Sequence, residues 1–73
     1  MDTYDKIEER LRIGNQINRL RTEAGLSVRE LAELCDFSPA NIVRIEKGKY
    51  SVGIDLISKV AKALGATIKI EKL

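Results

Sequence analysis

Seventy-three residues make one small domain with room for one modest core. The chain is 44% hydrophobic and carries a net charge of +2, with Tyr4, Phe37 and Tyr50 as its aromatic residues, a single cysteine (Cys35) and no histidine. That composition excludes an internal disulfide, argues against a Cys/His zinc site or any other metal or cofactor site, and leaves too few rings for a single-strand stacking platform.

The first helix is expected over residues 5–24. Ile13, Ile17, Leu20 and Ala24 recur at helical spacing, and Gly25 follows as a stop. Gly14 weakens the middle of this helix. Ile7 and Leu11 either begin it or belong to a separate helical extension, residues 1–12. The second helix starts at a capping box, Ser27-Val28-Arg29-Glu30, and Leu31, Ala32, Leu34 and Cys35 give its apolar face. Ser38 as N-cap and Pro39 at the first helical position open the third, with Ile42 and Ile45 facing inward and Gly48 as its stop. A polar loop (Lys49, Tyr50, Ser51) leads to a fourth helix over 53–64, whose inner face is Leu56, Ile57, Val60, Ala61 and Leu64 and whose stop is Gly65. Residues 66–72 alternate apolar and polar with β-branched residues at the centre, the pattern of a strand.

Charge follows this organisation. Residues 1–9 hold Asp2, Asp5, Glu8 and Glu9 against Lys6 (net −3), residues 10–21 hold Arg10, Arg12, Arg19 and Arg21 with no acid (+4), and residues 37–53 hold Arg44, Lys47 and Lys49 against Glu46 (+2). Basic patches on a nearly neutral body suit phosphate binding. No apolar run approaches the roughly 18 residues needed to span a bilayer. The start, Met1-Asp2-Thr3-Tyr4-Asp5, lacks the make-up of a signal peptide, so a cytoplasmic protein off the membrane is expected, with Cys35 reduced.

Two short capped helices joined by about three residues have the geometry of a helix-turn-helix. Leu26-Ser27-x-x-Glu30-Leu31-Ala32, then Ser38-x-x-x-Ile42-x-x-Ile45-Glu46-x-Gly48, then Leu56-x-x-x-Val60-Ala61-x-Ala63-Leu64-Gly65 closely resemble the Cro/phage-repressor (XRE-type) helix-turn-helix family. The resemblance implies a mainly α, four- to five-helix, lambda-repressor-like bundle. Its DNA-binding domain would span residues 13–65 with the motif at 28–47, and a short C-terminal β-strand at 66–73 would pair across a dimer. Ala32 is then small where the motif helices cross, and Ile42 fills the angle between them. Asp36 stands where the family usually has a left-handed glycine, a conformation Asp tolerates better than most residues. Arg21 and Glu46 occupy positions that form an ion pair in the family, a phosphate contact being the alternative for Arg21.

The recognition helix would be residues 39–47. Arg44 is the candidate for bidentate guanine contact, Ala40 for a thymine methyl and Asn41 for adenine or phosphate; for Arg44 the alternative is a phosphate. Phosphate candidates are Ser27, Arg29, Ser38, Lys47, Lys49 and Tyr50, with Arg29 equally readable as ordinary surface. Val28 departs from the family's usual glutamine, which removes one such contact. A lone strand cannot satisfy its own backbone, so Ile68 and Ile70 would be buried in a homodimer, as the resemblance to HipB-type antitoxins also implies. The expected function is sequence-specific repression of transcription on double-stranded DNA at a palindromic operator. An antitoxin that binds a toxin protein and represses its own operon, or an interaction module without DNA, are the alternatives. No paired catalytic groups are present, and Cys35 has no histidine as base, so an enzyme is not expected.

Overall fold

The computed structural model describes residues 3–73, with side chains from residue 7 onward. Four helices follow one another: α1 (Thr3–Glu23), α2 (Val28–Leu34), α3 (Pro39–Glu46) and α4 (Ile54–Ala63). The segment read as an extension runs from Thr3 into α1 as one helix, while Met1 and Asp2 lie outside the described residues.

Each helix ends with the same two backbone bonds. Leu26, Phe37, Lys49 and Ala66 N–H groups reach back to the carbonyls of Arg21, Ala32, Arg44 and Ala61 at 2.8–3.1 Å, and the residue before each closes a shorter turn. This motif needs a left-handed residue at the turn. Asp36 supplies it between α2 and α3 with φ 53°, the single non-glycine of this kind among the described residues. At α2 the capping box is complete: Ser27 Oγ accepts from the Glu30 N–H at 3.0 Å, and Glu30 Oε1 accepts from the Ser27 N–H at 2.8 Å. At α3 Ser38 holds the N-cap position and Pro39 the first turn, yet the serine hydroxyl makes no cap bond.

The core is Ile17, Leu31, Ala32, Cys35, Ile42, Ile45 and Val60, where α1 and α2 close on α3 and α4 closes on α2. Gly14 lies at the α1–α3 crossing. A Cβ there would fall against the carbonyl oxygens of Ile45 and Glu46, 2.7 Å from the latter, so the glycine is a packing requirement as well as a weak helix former.

Two expectations need correction. Leu34 is 60% exposed, because it lies off the face formed by Val28, Leu31, Ala32 and Cys35. Residues 66–73 form no strand: a ladder needs a second strand, and the described residues contain none. Within the single chain Ile68 and Ile70 stand exposed, Ile70 at 95%. Ile68 instead borders an open apolar cleft of about 350 Å³, with Ile13, Ile17, Leu20, Ile54 and Ile57 on its other walls.

Candidate nucleic-acid interface

Helix α3 is fixed from inside and open outside. Ile42 and Ile45 anchor it in the core, while Ser38, Pro39, Ala40 and Arg44 are exposed and Asn41 is half-buried. The exposed side thus gathers the three base-reading candidates on one short helix. Arg44 Nη1 donates to Asn41 Oδ1 at 3.2 Å, one turn earlier.

A second device sets where α3 sits. Arg21 Nε and Nη2 donate to the two carboxylate oxygens of Glu46 at 2.6 and 3.0 Å, and Arg21 Nη1 donates to the Leu26 carbonyl at 2.9 Å. Asn18 Nδ2 donates to Glu46 Oε1 at 2.8 Å. Burial pushes the Glu46 carboxyl up, but the hydrogen bonds from Arg21 and Asn18 and the Arg21 charge outweigh it and leave the group below its ordinary value. The same Glu46 bonds raise the Arg21 guanidinium. The structure therefore brings Arg21 and Glu46 together in a bidentate pair that ties α1, the α1–α2 turn and the end of α3. All three Arg21 nitrogens donate within the protein.

The rims of the motif hold the remaining candidates. Lys47 and Lys49 are exposed at the end of α3 and in the following loop. Tyr50 stacks on Phe37, ring centroids 6.4 Å apart and planes 11° from parallel, which holds that loop against the turn of the motif. Arg29 is exposed on the first turn of α2, and Val28 packs against the core. Ser27 already uses its N–H and an acceptor site of its hydroxyl in the capping box, so only the hydroxyl proton is left for an outside acceptor. Cys35 is buried with Sγ 3.1 Å from the Leu31 carbonyl, and burial pushes its thiol up, away from the reactive thiolate.

Residues 17–70 match the helix-turn-helix family. The chain belongs to the XRE-type helix-turn-helix family. It is 41% identical over 49 residues to an uncharacterized HTH-type transcriptional regulator of Methanothermobacter thermautotrophicus, covering 67% of this chain and 71% of that one. It is 36% identical over 61 residues to the control protein C.BamHI of Bacillus amyloliquefaciens, covering 82% and 75%. Among solved structures, the clp gene regulator ClgR of C. glutamicum superposes with a TM-score of 0.79 at 34% identity, over 81% of this chain and 76% of ClgR. As a member of this family the chain is a DNA-binding transcriptional regulator, and none of its described helices is long and apolar enough to cross a membrane.

Within this helix-turn-helix frame, four features escaped the sequence reading. They are the Gly14 contact, the third partner Asn18 on Glu46, the Phe37–Tyr50 stack and the Asn41–Arg44 bond. Two had a local signal: Asn18 precedes Arg21, and Asn41 precedes Arg44, by the three residues that bring helix side chains together. The other two join residues distant in sequence and leave no local trace.

Proposed function

We propose that this regulator represses transcription as a homodimer, setting two α3 helices into successive major grooves of a palindromic operator. The observation that carries the proposal is the outer side of α3. Asn41 and Arg44 stand together there, the Ser38 hydroxyl is unused by the cap, and Lys47 and Lys49 follow at the rim. Donors and cations in that order suit base edges at the centre and phosphates at the border. Ala40 would meet a thymine methyl. Ser38, Arg29, Ser27 through its hydroxyl, Lys47, Lys49 and Tyr50 would contact the backbone.

Dimerisation is supported by residues 66–73, whose backbone has no ladder partner among the described residues and whose Ile70 stands in solvent. Pairing of this segment with its copy about a twofold axis would satisfy both and cover Ile68 and Ile70. Half-sites about 34 Å apart, one helical turn, then follow. Selection of binding sites from random DNA by the purified protein tests the proposal, together with the mass of the complex in solution. The expected result is a two-fold symmetric site with one dimer bound and expression reduced from a promoter that carries it. No binding at low salt, or a single unsymmetric site held by one chain, would overturn it.

A further inference from the structure

The Arg44 guanidinium is held before any DNA arrives. Its Nη1 donates to Asn41 Oδ1 at 3.2 Å. Of the side chains on α3, only Asn41 and Glu46 offer acceptor oxygens, and Glu46 is engaged by Arg21 and Asn18. Asn41 is also half-buried and short, with little freedom to lose, whereas Arg44 is exposed and long.

We infer that Asn41 is a positioning residue for Arg44, and that the two address one guanine as a unit instead of reading a base each. This rests on the proposed entry of α3 into the major groove. Bidentate recognition of adenine by a carboxamide requires the oxygen to accept from adenine N6 while the nitrogen donates to N7. With Oδ1 turned to Arg44, Asn41 presents its Nδ2 donor. The pair therefore offers DNA mostly N–H donors, Nε, Nη2 and the second Nη1 hydrogen of Arg44 with Nδ2 of Asn41, against one remaining lone pair on Asn41 Oδ1. The major-groove edge with two neighbouring acceptors is guanine, through O6 and N7. Adenine and cytosine each present an amino group, for which the pair keeps a single acceptor site on an oxygen already shared with the guanidinium. Holding the guanidinium in place also reduces the side-chain ordering that binding would otherwise require.

The test is affinity for duplexes carrying each base at every half-site position, measured for the parent, Arg44→Ala, Asn41→Ala, Asn41→Asp and the double alanine variant. Arg44→Ala is expected to lose a guanine preference at one position, on the order of tenfold. Asn41→Ala should weaken that same preference at that same position, and the double variant should lose no more than Arg44→Ala. Asn41→Asp keeps an acceptor for Arg44 and should retain the guanine preference while lowering affinity for every sequence alike. If Asn41→Ala instead relaxes an adenine at another position, with effects that multiply with those of Arg44→Ala, the inference fails and the proposed function stands. A parent protein with no base preference at any position would overturn both.

Discussion

Glu46→Ala tests how the recognition helix is held. The substitution removes three hydrogen bonds from one carboxylate, two from Arg21 and one from Asn18, and leaves Arg21 with the Leu26 carbonyl alone. The Arg21 and Glu46 side chains keep 13% and 8% of their surface. Breaking a buried pair costs about 3–5 kcal/mol, and the residual exposure lowers the expectation to about 2–4 kcal/mol. A domain of this size has roughly 4–11 kcal/mol in total, and each kcal/mol moves Tm by about 4–8 °C. A thermal melt followed by circular dichroism should therefore fall by roughly 10–25 °C. Replacing Arg21 and Glu46 together by Met should recover much of that loss, since no charge is then left unpaired. The tie also has a pH signature. A carboxyl held below its ordinary 4.5 contributes stability that is present above that value and lost as pH falls through the lowered one. Glu46→Ala should flatten that acid limb. A melt within about 3 °C of the parent, or a double variant as unstable as the single one, would refute the reasoning.

Gly14→Ala should reverse the usual sign of a glycine replacement in a helix. Instead of gaining stability it should lose about 1–3 kcal/mol in denaturant titration, because the new Cβ meets the Ile45 and Glu46 carbonyls. Asp36→Gly should raise stability by about 0.5–1 kcal/mol in the same titration, since φ 53° strains a residue with a Cβ. Lys49→Ala should make the dependence of log K on log salt shallower by about 0.9 while leaving the selected sequence unchanged, the mark of a phosphate contact.

What the sequence made legible were the local devices. Ser27 with Glu30 declares the start of α2, Pro39 the start of α3, and Gly25, Gly48 and Gly65 the turns, because each is fixed by the conformation of a few consecutive residues. Asp36 could be assigned the left-handed turn only through resemblance, since aspartate by itself fits many conformations. Leu34 shows the limit of periodicity in a helix of seven residues. At about 100° per residue, Val28, Leu31, Ala32 and Cys35 centre on one direction and Leu34 lies about 110° from it. Gly14 shows a second limit: its cost to α1 is local and readable, whereas the closeness of α3 that requires it is tertiary. In the interface the residue types were legible, but the bond between Asn41 and Arg44 was not, because a spacing of three permits such a contact without requiring it.

Periodicity also reports which residues share an apolar side without saying what covers it. Ile13 and Ile57 were legible as apolar positions, and together with Ile54, which is 71% exposed, they border a cleft. A contiguous apolar surface of this kind marks an interaction site more often than ordinary surface. Ile70 separates the two meanings of exposure. At 95% exposed it makes no packing contribution to its own chain, so Ile70→Asp should leave the melting of a dilute monomer unchanged. A loss of operator affinity in that variant must then act through a second chain, because Ile70 belongs to a segment apart from α3 and from the rim residues around it. Sedimentation should show the dimer weakened, and the salt dependence of binding should approach that of one half-site. If Ile70→Asp sediments and binds its operator as the parent does, residues 66–73 do not join the dimer, and the cleft beside α4 becomes the surface on which to look for the second chain.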